Sequence, residues 1–243
     1  MNRRSACGVT TAACLLLFAW ISLAAAEEKS KPMRPQADAS TLIRELGAVK
    51  LIGDDQVVAF WVPFEFFVEV SLKPDGSDRA DAERGLDFMK KYQIVVAGIG
   101  THDKSGGVQY VSEKDIRRTV SLKLASGAEF PLIDDVPERV ANAVAIFRAL
   151  FAKNMGEFGN NLQVLVFSST AKDGKTVLTV SGQKTVVVQF KDIKGMKPIR
   201  LEWKTPLDSL NPIPPCARCK ESLSAKWSYC PWCGAKIPRK SGD

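Results

Sequence analysis

The spacing of apolar positions along the chain predicts a set of β-strands. Between Ile199 and Trp203 apolar residues alternate with charged ones, which is the pattern of a strand with one buried face. Six further segments alternate in the same way or are continuously apolar, and Asp173-Gly174 and Ser181-Gly182 provide turns between the later ones. The predicted strands are Val57–Leu72, Ile94–Ile99, Thr119–Leu124, Leu162–Ser168, Thr176–Val180, Thr185–Phe190 and Ile199–Trp203.

The longest of these segments, Val57–Leu72, is rich in aromatic residues, which are expected to fill the core. Glu65 and Glu69 fall opposite the apolar face of its second half, with a period of two. Pro63 lacks the N–H group that a strand ladder needs, so we expect the strand to break or to lie at a sheet edge there. The apolar face consists of Phe64, Phe66, Val68 and Val70.

Three segments carry apolar residues at helical spacing. The first predicted helix begins at Ser40 and the second at Asp78, both of them residues that can cap a helix. The clearest helix begins at Asp135, which forms a pattern like a capping box with Glu138. The apolar positions are Leu42, Ile43, Leu46 and Val49 in the first helix, Leu86, Met89 and Tyr92 in the second, and Val140, Val144, Phe147, Leu150 and Phe151 in the third.

Together these elements predict the fold class and the domain organisation. About eight strands and two or three helices, joined by hairpins rather than by regular βαβ alternation, indicate an α+β domain with a largely antiparallel sheet over residues 40–205. Four prolines between Pro206 and Pro215 predict a stiff linker. A small module over residues 216–238 follows this linker.

The first 26 residues are typical of a secretory signal peptide. Arg3 and Arg4 precede an apolar run from Cys14 to Ala24, and Ala24-Ala25-Ala26 stands directly before charged residues. We therefore predict cleavage after residue 26 and export to the periplasm or the extracellular space. An uncleaved segment of this length would instead anchor the protein in a membrane. Residues 27–39 are charged, contain proline and predict a flexible tether.

Removal of the signal peptide changes both the charge and the cysteine count. The formal net charge of +7 falls by the two lost arginines to +5, and two of the six cysteines are also lost. All four remaining cysteines lie between Cys216 and Cys233. His102 is the one histidine of the chain, which excludes metal sites that need several histidines. The composition, with 45% apolar and 25% charged residues, excludes collagen, coiled coil and wholesale disorder.

The four remaining cysteines form the motif Cys216-x2-Cys219-x10-Cys230-x2-Cys233. Each C-x2-C pair directs two thiolates to one point, and four sulfurs complete the tetrahedral shell that zinc prefers. A module of about twenty residues cannot bury enough surface to fold alone, so a bound metal would supply its folding energy. The motif predicts a structural zinc site, because four protein ligands leave no open position for catalysis.

The second half of this motif, Cys230-Pro-Trp-Cys233-Gly234, has the CPxCG ending of short bacterial zinc ribbons, and Pro215–Pro238 resembles these modules. The resemblance implies one structural Zn²⁺ held by the four cysteines. Lys220 stands in the first knuckle where many such ribbons have glycine, which predicts poorer hydrogen bonding to the sulfur there. The resemblance also implies that four side chains pack around the metal: Leu223, Trp227, Tyr229 and Trp232.

Export leaves two other uses open for these cysteines. In an oxidising compartment thiols commonly become disulfides, so the four cysteines could form two disulfide bonds instead of a metal site. A protein that uses the thiols reversibly, in redox chemistry or in metal handling, is the other alternative.

Charge and motifs together predict the kind of function. Six basic and two acidic residues lie between Cys216 and Asp243, so the α+β domain is nearly neutral and nucleic-acid binding is not indicated. We predict an exported, non-enzymatic envelope protein that binds a protein or a surface partner, with Trp227 and Trp232 as contact residues. The alternative is a hydrolase that uses acidic residues or the loop at His102. It requires His102 to share a pocket with carboxylates from other strands.

Overall fold

The computed structural model describes residues 39–74, 77–191, 193, 196–211 and 213–238. The predicted signal peptide and the predicted tether up to residue 38 lie outside the described residues. In chain order the described elements are α1 (Ala39–Leu46), β1 (Gly47–Ile52), β2 (Asp55–Val62), α2 (Phe64–Ser71), α3 (Arg79–Gly85), a 3-10 helix (Asp87–Lys91), β3 (Tyr92–His102), β4 (Val108–Tyr110), α4 (Glu113–Thr119), β5 (Val120–Leu124), β6 (Glu129–Phe130), α5 (Glu138–Asn160), β7 (Gln163–Ser168), β8 (Thr185–Phe190) and β9 (Ile199–Lys204).

The strands form two sheets, and every strand pair in them is antiparallel. The first sheet has the order β1-β2-β3-β4, and the second has the order β6-β5-β8-β9. The long strand β3 pairs with β2 on one side, while its other side pairs with β7 through Tyr92–Ala97 and with β4 through Gly100–His102. This arrangement confirms the predicted α+β class with a largely antiparallel sheet.

The core lies on the inward faces of both sheets and beneath α1. In β9 the apolar residues Ile199, Leu201 and Trp203 are buried and the charged residues between them are exposed, as the alternation predicts. The Nε1 of Trp203 donates a hydrogen bond of 2.7 Å to the carbonyl oxygen of Leu46, which connects α1 to the second sheet. The prediction that the aromatic run fills the core is confirmed by Trp61, Phe66 and Phe67, all of which are buried.

The second half of the predicted strand Val57–Leu72 is a helix, so that part of the prediction is wrong. Strand β2 ends at Val62, and α2 begins after Pro63, whose carbonyl accepts a hydrogen bond of 3.0 Å from the Phe66 N–H. Proline is favoured at the start of a helix. The N–H groups of the first turn have no partner within the helix, so the N–H group that proline lacks is not needed there. The apolar and acidic residues that alternate here therefore wind around a helix, and Glu69 is buried rather than opposite an apolar face.

Three of the other predicted elements differ from the observed ones. Helix α1 ends at Leu46, so Val49 belongs to β1 and is exposed. Helix α5 begins at Glu138 with Pro137 as its cap rather than at Asp135, because the residue before a proline disfavours helical backbone. The segment 176–180 is not a strand; it makes a single bridge between Thr170 and Val177.

The second predicted helix divides at Leu86. Helix α3 covers Arg79–Gly85, the 3-10 helix follows, and Tyr92 already belongs to β3. In the third predicted helix Val140, Val144 and Phe151 are buried as expected, while the side chains of Phe147 and Leu150 lie outside the described part.

Residues 206–211 pack against the α+β core. Leu207 and Leu210 are buried in the same apolar cluster as the strands, and the described residues between 39 and 238 belong to one compact unit. The predicted division into domain, stiff linker and ribbon stays a prediction.

None of the helices within the described residues combines the length and the hydropathy that a membrane crossing requires.

Candidate metal centre

Two backbone knuckles of the same shape position the four cysteines. In the first, the Lys220 N–H donates to the Cys216 carbonyl at 2.8 Å and the Cys216 N–H donates to the Glu221 carbonyl at 2.9 Å. In the second, the Gly234 N–H donates to the Cys230 carbonyl at 2.8 Å, and the Cys230 N–H donates to the Ala235 carbonyl at 2.8 Å. The chain reverses in both knuckles, so each presents two sulfurs on one side.

The four sulfur atoms form one compact cluster. All lie within 4.8 Å of one another, with 3.5 Å between the Sγ atoms of Cys219 and Cys230 and 3.6 Å between those of Cys216 and Cys233. Sulfurs that are each about 2.3 Å from a tetrahedral zinc ion are roughly 3.8 Å apart. The four predicted ligand residues are therefore brought together at spacings compatible with a zinc site.

The electrostatics of the cluster are uneven among the four thiols. The backbone N–H groups of Cys219 and Arg218 donate to the sulfur of Cys216 and lower the pKa of that thiol to about 6. The Glu221 N–H acts in the same direction on Cys219, but burial and the neighbouring sulfurs outweigh it and raise the pKa of Cys219 to about 12. Four thiolates at these distances repel one another unless a cation neutralises them.

The first knuckle adopts the glycine-type geometry without a glycine. The φ angle of Lys220 is 64°, close to the 72° of Gly234. A residue with a Cβ pays roughly 1–2 kcal/mol for this left-handed conformation. The knuckle is held in place nevertheless, because both of its backbone hydrogen bonds match those of the second knuckle.

Replacing Lys220 by glycine is expected to stabilise the ribbon by about 1 kcal/mol, because glycine adopts positive φ without the cost of a Cβ. The matched control is Gly234→Lys, which places the same side chain in the second knuckle and should destabilise the ribbon by a similar amount. Competition with a chelator measures both. Equal metal affinities for Lys220→Gly and the unmodified protein would contradict the prediction.

A polar joint connects the ribbon to the α+β core; it consists of Glu45, Asp208, Ser209, Ser224 and Lys226. The Asp208 carboxylate accepts hydrogen bonds from the Ser224 hydroxyl at 2.8 Å and from the Ala225 N–H at 2.7 Å. Lys226 Nζ lies 2.7 Å from Glu45 Oε1. Glu45 also accepts hydrogen bonds from the backbone N–H groups of Asp208 and Ser209. Helix α1, residues 208–209 and the ribbon loop thus share one network.

The joint makes the stability of the protein depend on pH. Burial raises the pKa of Glu45, but the Lys226 ammonium and the Ser209 and Asp208 donors together hold it below the usual value. A carboxyl group with a lowered pKa stabilises the fold fully above its unfolded pKa of about 4.3, and this stabilisation is lost as the pH falls through the folded pKa.

Glu45→Gln is expected to destabilise the protein by about 1 kcal/mol at neutral pH, since the pair with Lys226 is partly exposed to solvent. The difference from the unmodified protein should shrink as the pH falls below about 4, where Glu45 itself becomes protonated. Urea denaturation over a pH series measures this difference. Glu157→Gln, an exposed glutamate of α5, is the control and should show neither effect; a constant difference at every pH would count against the role of Glu45.

Three of the four side chains expected around the metal are exposed to solvent. Trp227 is 38% exposed, Tyr229 59% and Trp232 56%. The rings of Trp227 and Trp232 contact each other edge to face, with centroids 5.4 Å apart. Among the described residues of the ribbon, Ile237 is a buried apolar side chain that the cysteine motif does not indicate. The sequence signal for Ile237 is that it is an apolar residue seven positions after Cys230.

The loop at His102 does not gather a catalytic set. His102 is exposed at the end of β3, and its Nε2 lies 3.1 Å from Oε1 of Gln56. The Asp103 carboxylate instead accepts hydrogen bonds from the backbone N–H groups of Ser105 and Gly107 and from the Ser105 hydroxyl. These bonds close the hairpin loop and lower the pKa of Asp103.

Comparison with known proteins gives one distant structural similarity. No protein-family model matches the chain, and no curated protein sequence matches it. The structural similarity is to the crystal structure of a DUF4426 family protein from Pseudomonas aeruginosa PAO1. The two sequences are 17% identical, and the two structures superimpose with a TM-score of 0.31. That match covers 67% of this chain and 95% of the other.

Proposed function

We propose that Cys216, Cys219, Cys230 and Cys233 bind one structural Zn²⁺ ion and that the resulting ribbon is a contact module of an exported, non-enzymatic protein. The observation that carries the proposal is the clustering of four sulfurs within 4.8 Å. Thiolate ligands in a four-coordinate arrangement suit zinc, which has no redox chemistry of its own. With four protein ligands, no coordination position is left for a substrate.

The contact role is supported by what the ribbon exposes. A zinc ion that only stabilised a small module would require no large aromatic side chains at the surface, yet Trp227, Tyr229 and Trp232 are all exposed. Tryptophan and tyrosine are enriched where proteins bind partners, because their rings bury much apolar area and keep a polar group. Export is supported by the N-terminal sequence pattern alone.

Zinc content and thiol titration on the protein purified from its native compartment test the zinc site. We expect one zinc per chain and four thiols that react only after a chelator is added. The absence of both metal and free thiols would mean two disulfides and would overturn the proposal. Thiols that cycle between oxidised and reduced forms, with substoichiometric metal, would overturn it in favour of a redox protein.

The partner proposal has its own test. Trp227→Ala combined with Trp232→Ala should abolish capture of a partner by the immobilised protein while its zinc content stays unchanged. The control is Val49→Ala with Leu51→Ala, which removes two exposed apolar side chains from β1. Unchanged capture by the tryptophan variant would remove these residues from the contact surface.

A further inference from the structure

The exposed aromatic residues of the ribbon are accompanied by cationic side chains. Arg218 donates a hydrogen bond of 3.2 Å to the carbonyl of Cys233, the residue after Trp232. Lys236 lies opposite Tyr229 in an antiparallel bridge. Both cations are exposed. We call Arg218, Trp227, Tyr229, Trp232 and Lys236 the ribbon tip.

Contacts within the ribbon and to the core hold the two tryptophan rings of the ribbon tip in place. Trp227 and Trp232 brace each other edge to face, and Trp232 lies between two of the clustered cysteines. Trp227 follows Lys226, whose side chain contacts Glu45 and whose carbonyl accepts a hydrogen bond of 3.3 Å from Gln183. Rings that are already fixed lose little conformational entropy when a surface covers them.

Aromatic rings with a polar edge, combined with lysine and arginine, match the chemistry of one kind of surface. Tryptophan and tyrosine prefer the boundary between lipid head groups and acyl chains, because one part of each ring system is apolar and another can form hydrogen bonds. Basic side chains near an anionic leaflet are attracted to its negative potential. Glu221 is the one acidic residue among the described positions 216–238. Of the four basic residues there, Lys226 pairs with Glu45, so three basic residues face one acidic residue and charge complementarity still favours an anionic partner.

We propose that the ribbon tip docks the protein on the surface of an anionic lipid bilayer, with Trp227 and Trp232 in the interface and Arg218 and Lys236 against lipid phosphates. This inference rests on the proposed function, because Trp232 lies in the sequence between two of the proposed zinc ligands and Trp227 contacts its ring. It names the surface partner of the ribbon and requires no segment that crosses the bilayer.

The test uses a chain that begins at Glu27, which omits the apolar N-terminal run but keeps the whole compact unit that starts at Pro35. Binding is measured to vesicles of phosphatidylcholine with phosphatidylglycerol and to vesicles of phosphatidylcholine alone. We expect binding to the anionic vesicles, weakening with salt, and quenching of tryptophan fluorescence by brominated lipid. Trp61 and Trp203 are buried, so the quenching reports on the ribbon.

The variants separate the rings from the charges. Trp227→Ala with Trp232→Ala should weaken binding about tenfold or more through lost apolar burial. Arg218→Gln with Lys236→Gln should weaken it roughly 25-fold at low salt, about fivefold for each charge near an anionic surface. Matched controls are Val49→Ala with Leu51→Ala for the rings and Lys104→Gln with Lys114→Gln for the charges, and neither should alter binding.

Zinc content is measured on every preparation, which separates this inference from the proposed function. A zinc-loaded protein that ignores anionic vesicles overturns the membrane surface as the partner, leaves the zinc site standing and favours a protein partner. Equal binding of the tryptophan variant and its control overturns the inference as well. A preparation without zinc that still binds anionic vesicles through the ribbon tip overturns the proposed structural zinc. It leaves the proposed docking on the bilayer standing.

Discussion

Replacing Cys233 by serine is expected to abolish stoichiometric zinc binding and to unfold the ribbon while the α+β core stays folded. Structural zinc contributes apparent binding energies of about 10–16 kcal/mol in zinc-finger peptides, which is the whole folding energy of such modules. Apart from the polar joint at residues 224–226, the described part of the ribbon has one buried apolar side chain beside the cysteines, Ile237. A hydroxyl group is a poor substitute for a thiolate, so the loss of one ligand removes most of this energy.

The matched control at the same position is Cys233→His. Imidazole is an accepted zinc ligand, and Cys233 is only half-buried, which leaves room for a larger side chain. We expect this variant to retain one zinc with reduced affinity. Tryptophan fluorescence reports on the ribbon through Trp227 and Trp232, and far-UV circular dichroism reports on the core. If Cys233→Ser keeps one zinc after dialysis against a chelator, the fourth ligand is not Cys233.

The candidate site could be predicted from the sequence because the information for it is local. All four cysteines lie within eighteen residues, and the C-x2-C spacing alone brings two sulfurs together in each knuckle. The same local information was insufficient at Lys220. A lysine with positive φ cannot be distinguished by residue type from a lysine in ordinary backbone, so its knuckle geometry became evident only in the structure.

The fold was predictable where a pattern fits one period only. Strand β9 alternates over six residues and was assigned correctly, whereas the sequence FEFFVEVS of α2 fits a period of two and also covers two turns of helix. Tertiary contacts decide between these alternatives. Arg79 Nη1 lies 2.7 Å from Glu69 Oε1, so the carboxylate can be buried on the helix instead of lying opposite an apolar strand face.

Long-range polar contacts were beyond prediction for the same reason. Glu45 receives N–H donors from residues more than 160 positions away, and Trp203 donates to a carbonyl at the end of α1. Nothing in the composition of either segment specifies the other. Leu207 and Leu210 within the predicted linker are buried in the core, which the prolines around them do not indicate.

Trp61→Ala is expected to destabilise the α+β core by about 4–8 kcal/mol. Trp61 lies in β2 with none of its surface exposed, and its Nε1 donates a hydrogen bond of 2.9 Å to Oε1 of Gln93. The cavity left by a buried aromatic ring costs about 3–5 kcal/mol. The side-chain carbonyl of Gln93, left without its donor, adds about 1–3 kcal/mol, because Gln93 is buried.

Two variants separate these contributions in urea denaturation followed by circular dichroism. Trp61→Phe keeps most of the ring volume but removes the donor, so it should cost about 1–3 kcal/mol, the part due to Gln93. Trp232→Ala makes the same replacement at an exposed position and should change core stability by less than about 0.5 kcal/mol. The Gln93 side-chain amide also donates to the Ser169 hydroxyl and to the Leu178 carbonyl. These two bonds hold the Gln93 side chain in place when its Oε1 no longer accepts a hydrogen bond from Trp61. Equal stabilities for Trp61→Phe and the unmodified protein would mean that the Gln93 carbonyl gains another partner.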